Sequence, residues 1–260
     1  MRIRMIVAGL LMLSVAGLSG AAPAASGSPS SARPAAVGDD IGIQATVSGI
    51  DVNQANGAVN WSTVRGAGIE WAYLKATEGT TVRDAKFNTY YPEAYYAGVI
   101  RGAYHFARPN LSSGTVQADF FASNGGAWSA DSRTLPGALE LIGNPYSGGY
   151  CYGLTSSGMV SWISAFMSQY RTRTGRWAVI HTTRSWWSRC TGNSSSFTTR
   201  HPLWLENWSS TPGTVPGGWG TWTFWQNTNC RVTSGAPGCA NGGFFNGDRS
   251  RLIALANNTP

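Results

Sequence analysis

Residues 69–106, IEWAYLKATEGTTVRDAKFNTYYPEAYYAGVIRGAYHF, form one strand–helix–strand pattern. The apolar runs Ile69–Ala76 and Val99–Phe106 predict strands, and the segment between them predicts a helix over 87–98 that ends at Gly98. Parallel strands need a crossover connection, which is usually a helix. The stretch therefore indicates a β/α unit of an α/β protein.

The same alternation continues along the rest of the chain. Further strands are predicted at 47–52, 177–182, 202–208 and 221–227, and further helices at 59–67, 115–122 and 156–172. No convincing helix separates the last two strands. Repeated β/α units that end in bare strands predict a single α/β barrel.

The clearest helix is Ser156–Thr172, with Thr155 or Ser156 available as N-cap and Gly175 beyond its end. Its large apolar residues recur at helical spacing and form one continuous face: Met159, Trp162, Ile163, Phe166, Met167 and Tyr170. We expect this face to pack against the barrel.

Composition points to an exported protein with an aromatic binding surface. Only 12% of the 260 residues are charged, whereas there are 33 Gly and 12 Trp, which disfavours a disordered chain or a coiled coil. The net charge of +7 suits an anionic partner such as an acidic cell-wall polymer or a membrane surface. Nucleic acid ranks last, because the Arg residues are scattered and form no basic arm.

The N-terminal segment has the layout of a secretory signal peptide. Arg2 and Arg4 precede the apolar run Met5–Gly17, which is too short to span a membrane, and small residues follow up to residue 25. Residues 26–46 are rich in Ser, Pro and Ala and predict a linker. We therefore expect a signal peptide over 1–25, a secreted barrel domain over 47–260 that acts as a monomer, and no membrane span after cleavage.

Four cysteines in an exported chain favour two disulfides over a metal site, and no Cys or His spacing has the zinc-ligand form. Cys230 and Cys239 would close a short loop, and Cys151 and Cys190 a longer one. The residues alone allow three pairings.

Polar side chains cluster at the predicted strand ends, where α/β barrels place their chemistry. The residues at these positions are Asp51, Lys75, Glu78, His105, Glu140, His181, Glu206, Trp208 and Gln226. Lys75 and Glu78 have an alternative role as a structural ion pair. The aromatic residues Tyr73, Tyr104, Trp208 and Trp225 are candidates for holding sugar rings or for the core.

The strand ends and the segments between them resemble the family 25 glycoside hydrolases, the Chalaropsis-type lysozymes of actinomycetes and phages. The resemblance covers roughly 47–257 and is most specific at KATEGT and GAYHFARPN. The matching stretches occur in family order: GIDVNQANGAVNW, AYLKATEGT, AGVIRGAYHFARPNLSSGTVQADFF, TLPGALEL, CYGLT, WWSRCTGNS, PLW, TFWQ and FFNG.

The resemblance implies a flattened barrel of five β/α units followed by three strands. It also implies cleavage of the bond from N-acetylmuramic acid to N-acetylglucosamine in peptidoglycan, without a metal or organic cofactor. The pairing of Cys151 with Cys190 looks like the family's disulfide. The implied substrate-binding residues are Tyr73, Lys75, Glu78, Tyr104, His105, Trp208, Trp225 and Asn241.

The chain departs from the family at the short apolar run that begins at Gly137 and carries Glu140, which predicts a further strand. The family reads Leu-Asp-Ile-Glu there, with the Glu as proton donor, and the matching positions here end in Glu140, Leu141 and Ile142. Residues 140 and 142 of a strand share a face, so an isoleucine points where the acid should be. Asn241 stands where the family usually has an acid. Glu206 replaces a small residue, and His181 replaces a frequent Tyr.

Two hypotheses follow from these departures. In the first, the protein is a secreted muramidase in which Glu140 acts as the acid, with Asp51 or Glu206 as its partner. In the second, it is a glycan-binding relic of the same fold that has lost turnover. An unrelated barrel enzyme that acts on another polysaccharide is a third and weaker alternative.

Overall fold

Eight strands close into a barrel in the computed structural model of this protein, which describes residues 45–259. The strands in chain order are β1 Val47–Val52, β2 Trp71–Glu78, β3 Val82–Arg83, β4 Ile100–Phe106, β5 Ala138–Leu141, β6 Val179–Thr183, β7 Leu203–Glu206, β8 Phe224–Thr233 and β9 Ala236–Phe245. Around the barrel the order is β1-β9-β8-β7-β6-β5-β4-β2, and the pairing of β1 with β2 closes the ring. The short β3 pairs with the edge of β2 and stands outside the ring.

Helices follow the first five barrel strands and none of the next two. They are α1 Trp61–Gly66, α2 Phe87–Tyr96, α3 Gly114–Ser123, α4 Ser156–Thr174, α5 Arg184–Thr191 and α6 Arg249–Asn257, with a 3₁₀ turn at Gln54–Asn56. Strands β7, β8 and β9 follow one another without a helix, and β9 runs antiparallel to both of its neighbours. The expected barrel of five β/α units followed by three strands is confirmed.

Polar side chains fix the starts of most helices. Asn60, Ser113, Thr155 and Asp248 each accept a hydrogen bond from a backbone N–H in the first turn of their helix. Thr155, rather than Ser156, is therefore the N-cap of α4. Gly175 ends that helix with a φ of 74°, a left-handed conformation that glycine adopts at little cost.

Aromatic side chains fill the barrel interior below its C-terminal rim. The rings of Tyr73 and Trp204 stack with centroids 4.7 Å apart, and Trp71 packs edge-on against Phe224 at 4.9 Å. Gly49 makes room for this packing, because a Cβ there would lie 2.0 Å from the Trp71 ring. The apolar face predicted for α4 belongs to the second core layer, between the barrel and its helices.

Several elements differ from the sequence-based prediction. Helices α5 and α6 and strand β9 were not predicted, and β8 extends six residues beyond the predicted strand end. The β9 sequence, APGCANGGFF, is rich in glycine and has low strand propensity. Pairing with β1 on one side and β8 on the other overrides that propensity.

Two disulfides join Cys151 to Cys190 and Cys230 to Cys239. The first ties the loop after β5 to α5, as the resemblance implied, and the second links β8 to β9. The predicted signal peptide and nearly all of the predicted linker lie outside the described residues. Among the helices within 45–259, none is both long and apolar enough to cross a membrane.

The close approach at Gly49 gives a stability test. We expect Gly49→Ala to lower the free energy of unfolding by about 3 kcal/mol or more, because the methyl group overlaps the buried Trp71 ring. Gly66→Ala is the matched control, since a Cβ at this exposed end of α1 meets nothing within 4 Å. Urea denaturation of both variants measures the effect, and equal stabilities would contradict this account of the barrel core.

Candidate active site

Carboxylates converge on the rim formed by the C-terminal ends of the parallel strands. Asp51 lies in β1, Glu78 ends β2, Glu140 lies in β5 and Glu206 ends β7. Between β5 and β7, strand β6 carries His181 in register with Glu140. The rim therefore holds four acids and one imidazole.

His181 lies between Glu140 and Glu206. Its Nδ1 is 3.6 Å from Oε1 of Glu140, and its Nε2 is 3.7 Å from Oε2 of Glu206. The side chain is only 1% exposed, and the ring stacks on Trp204 with centroids 4.0 Å apart. Neither ring nitrogen has a hydrogen-bond partner within the described part of the chain. Burial lowers the pKa of His181 to about 3, so the ring is neutral at ordinary pH.

Glu140 and Glu206 both hold protons unusually tightly. Burial, then the negative charges of Asp51 and Glu206, raise the pKa of Glu140 to about 8, against the opposing charge of Lys75. Burial and the charge of Asp51 raise the pKa of Glu206 to about 7. At neutral pH, Glu140 is therefore mainly a carboxylic acid.

Asp51 is held by two side-chain amides. Nε2 of Gln226 and Nδ2 of Asn241 each donate a hydrogen bond of 2.8 Å to its carboxylate, one to each oxygen. Burial raises the pKa of Asp51 to about 6, while the two hydrogen bonds limit the rise. Asp51 is therefore ionised above that pH, in a fixed orientation.

Glu78 lies in a different environment, surrounded by hydrogen-bond donors. It accepts hydrogen bonds from Lys75 Nζ at 2.8 Å, from Arg108 Nη1 at 3.1 Å and from the Tyr146 hydroxyl at 2.7 Å. Burial acts to raise its pKa, but the hydrogen bonds and the Lys75 charge outweigh it and lower the pKa of Glu78. The alternative of a Lys75–Glu78 ion pair is therefore what the structure shows.

Aromatic and polar side chains line the space beside these acids. A cavity of about 660 Å³ opens next to Glu206, and its wall includes Thr183, Asn207 and Trp208. The Trp208 ring is 54% exposed, and its Nε1 donates a hydrogen bond to Gln226. Tyr146, in the loop after β5, is also exposed. Exposed aromatic rings beside buried acids suit a sugar polymer.

The arrangement supports acid–base chemistry. It offers a protonated acid, Glu140, and an ionised carboxylate, Asp51, on one rim, the combination that glycosidic cleavage needs. Within 45–259, no group of three or more His, Cys, Asp or Glu side chains is arranged to hold a metal ion.

Comparison with known proteins decides the family. The model of the glycosyl hydrolases family 25 matches residues 50–236. Lysozyme M1 of Streptomyces globisporus is 53% identical over 213 residues, which cover 82% of this chain and 72% of that protein. The chain belongs to glycosyl hydrolase family 25.

This family 25 chain is also similar to a second curated relative and to a solved structure. The N,O-diacetylmuramidase of Chalaropsis sp is 42% identical over 205 residues, covering 77% of this chain and 97% of that protein. The crystal structure of the bacterial lysozyme from Streptomyces coelicolor is 52% identical, with a TM-score of 0.81 over 82% of this chain and 98% of that one. Fold and family thus agree with the expectation from the sequence motifs.

The structure corrects two predicted substrate contacts of the family 25 chain, Tyr73 and His105. Tyr73 is fully buried in the barrel interior, where its hydroxyl donates to the Pro136 carbonyl at 2.9 Å. His105 is buried between the barrel and α3, bonded to Thr77 and Gln117. Neither side chain can reach a ligand.

Trp225, a third predicted substrate contact, points outward from its strand and away from the barrel interior. Successive strand residues point to opposite faces, and its neighbour Gln226 points inward to Asp51. The Trp225 ring instead packs outside the barrel against Trp222 and Phe244. Its Nε1 donates to the Asn207 carbonyl, so Trp225 supports the loop after β7 rather than a ligand.

The remaining site residues lie on or near the rim. Tyr104 is largely buried in the upper barrel interior, close enough to Glu140 and Asp51 for their charges to raise its pKa further, after burial. Ile142 follows β5 directly and is partly buried. Sequence reasoning did not single out Arg108 or Tyr146, although both stand in loops that directly follow predicted strands.

The buried acids make stability depend on pH. Folding raises the pKa of Glu140 from 4.5 to about 8, so the folded protein binds more protons than the unfolded chain between these values. The Glu140 proton makes its full contribution to the free energy of unfolding below pH 4.5. That contribution is lost as the pH rises toward 8.

We therefore expect Glu140→Gln to match the wild-type melting temperature at pH 5 and to exceed it at pH 8. The expected excess is about 10 °C, because raising the pKa from 4.5 to about 8 corresponds to about 4 kcal/mol at pH 8, and each kcal/mol shifts the melting temperature of a domain of this size by about 2–4 °C. Glu93→Gln, at an exposed position of α2, is the control and should melt like the wild type at both pH values. A Glu140→Gln effect that is independent of pH would refute the raised pKa.

Proposed function

We propose that the protein is a secreted peptidoglycan hydrolase, a 1,4-β-N-acetylmuramidase that cleaves the bond from N-acetylmuramic acid to N-acetylglucosamine. Family membership and relatives named as a lysozyme and an N,O-diacetylmuramidase support the substrate class. The observation that carries the proposal is Glu140, a carboxyl group on the barrel rim whose pKa is raised to about 8.

Glu140 is the proton donor of the proposed reaction. It delivers its proton to the glycosidic oxygen as the bond to the leaving sugar breaks. A general acid must be protonated at the working pH, and desolvation keeps Glu140 protonated near neutrality. Its side chain remains 14% exposed, so the proton can reach a bound glycan. Glu140 thus takes the task that Ile142 has no group to perform.

Asp51 is the ionised partner of Glu140. The positive charge that develops on the sugar is stabilised by a carboxylate that is already negative and correctly oriented. The amides of Gln226 and Asn241 fix both oxygens of Asp51. Asn241 therefore acts through Asp51 rather than on the glycan itself.

Glu206 ends β7 and lines the cavity next to Trp208. In the proposed function it acts as a second carboxylate that accepts a proton from water. The exposed Trp208 ring holds a sugar face in this cavity. Lys75 and Glu78 lie at the opposite side of the rim, where they pair with each other and position the Arg108 and Tyr146 side chains.

The predicted export of the chain is consistent with peptidoglycan as the substrate, because peptidoglycan lies outside the cell membrane. The predicted signal peptide would deliver the chain to an oxidising compartment, where the disulfides Cys151–Cys190 and Cys230–Cys239 are stable. Without Arg2 and Arg4 of the predicted signal peptide, the net charge of +7 becomes +5 (7 − 2), which favours binding to an anionic cell wall.

The test is the release of reducing ends from purified peptidoglycan by the mature protein. We expect Glu140→Gln to lower kcat by about 10²- to 10⁴-fold, the usual effect of removing a general acid. Asp51→Asn should also lower kcat strongly, while Glu93→Gln should retain wild-type activity. Full activity of Glu140→Gln would refute its assignment as the acid, and full activity of Glu206→Gln would exclude Glu206 from the reaction.

An Ile142→Glu variant separates an enzyme from a binding relic. If the wild type is inert and Ile142→Glu is active, the proposed turnover is wrong and the protein binds glycan through the same cleft. If the wild type is active and Glu140→Gln abolishes that activity, Glu140 has taken over the acid's task.

A further inference from the structure

His181 is a buried imidazole with one carboxyl group facing each of its nitrogens. We propose that His181 is a positioning residue that sets opposite protonation states on Glu140 and Glu206, keeping Glu140 as an acid and Glu206 as a carboxylate. The inference rests on the proposed function, because it explains how two similar carboxyl groups take different tasks in one reaction.

The strand register fixes this arrangement. Strands β5, β6 and β7 are adjacent and parallel, and His181 pairs in register with Glu140 on one side and Trp204 on the other. The stack of the imidazole on the Trp204 ring, with 18° between the planes, holds the orientation of the imidazole. Each nitrogen therefore faces one glutamate and cannot turn away to another partner.

The hydrogen-bonding capacity of the ring explains the asymmetry. A neutral imidazole carries one N–H donor and one bare nitrogen acceptor. It can donate to one carboxylate and accept from one carboxylic acid, but it cannot satisfy two carboxylates at once. The ring therefore favours ionisation of one glutamate and opposes ionisation of the other.

Burial, more than neighbouring charge, decides which glutamate keeps its proton. Both glutamates are close to Asp51 and to each other, and Glu140 is also close to Lys75 and Glu78, whose opposite charges partly cancel. Burial raises the pKa of Glu140 to about 8 and that of Glu206 to about 7. The tyrosines near Glu140 are Tyr104 and Tyr152. Since Glu140 has the higher pKa, it keeps its proton, and its O–H donates a hydrogen bond to Nδ1 of His181. The Nε2–H of His181 donates to the Glu206 carboxylate.

Both contacts can close to hydrogen bonds. The separations of 3.6 Å and 3.7 Å exceed an ordinary N···O hydrogen bond by about 0.7 Å. Both glutamates lie at the cleft surface, at 14% and 16% exposure, so their carboxyl groups can turn toward the ring.

The first test uses NMR on the mature protein without substrate and needs no activity. The ¹⁵N signals of His181 should show a bare Nδ1 and a protonated Nε2 near pH 7. With ¹³C-labelled glutamate carboxyl groups, assigned through Glu140→Gln and Glu206→Gln, Glu206 should ionise at lower pH than Glu140. A protonated Nδ1, or Glu140 ionising first, would overturn the inference.

The second test replaces the ring. His181→Phe keeps an aromatic stack on Trp204 but removes both nitrogens, so the two glutamate titrations should move closer together by about one pH unit. His181→Gln is the matched control, because its amide restores one donor and one acceptor and should recover part of the separation. An unchanged separation in a folded His181→Phe variant overturns the inference.

Activity measurements distinguish failure of the inference from failure of the proposed function. In an active enzyme, His181→Phe should narrow the pH profile of kcat/KM and lower its maximum by about 10-fold or more, and His181→Gln should restore part of both. An inert wild type with separate glutamate titrations refutes the proposed function and supports the inference. An active enzyme whose pH profile is unchanged in His181→Phe refutes the inference alone.

Discussion

Closure of the barrel through β1 is the constraint on which the rest of the structure depends. Strand β1 pairs in parallel with β2 and antiparallel with β9, and this double pairing turns an open sheet into a ring. Closure brings Asp51 of β1 next to Asn241 of β9 and within reach of Gln226 of β8. It also gathers the ends of β5, β6 and β7 on the same rim, so that acids far apart in sequence share one poorly hydrated space.

Desolvation then gives the acids of this rim different properties. Glu78 is buried among donors that neutralise it, namely Lys75, Arg108 and Tyr146, and its pKa falls. Glu140 is buried beside other acids, the charge of Lys75 does not offset this, and the pKa of Glu140 rises. The contrast arises from the neighbours and not from the residue type. It separates a structural ion pair from a carboxyl group that can donate a proton in the proposed reaction.

The sequence predicted the strands and helices better than the direction of individual side chains. The β/α order, the α4 face and the rim positions of Asp51, Glu140 and Glu206 were all available from periodicity, motifs and strand ends. The assignments of Tyr73, His105 and Trp225 to the cleft were wrong, because the depth of a strand residue and its inward or outward direction depend on register. The glycine-rich β9 was missed because its neighbours, not its own propensity, make it a strand.

By itself the sequence determined the α/β barrel and the family, since these follow from local pattern and motifs. It could not determine the pairing of Glu140 and Glu206 across His181, because their side chains meet only when three strands align. Nor could it determine which carboxyl group keeps a proton, since burial and neighbouring charge set the pKa. Those properties exist only in the folded barrel, where desolvation and register act together.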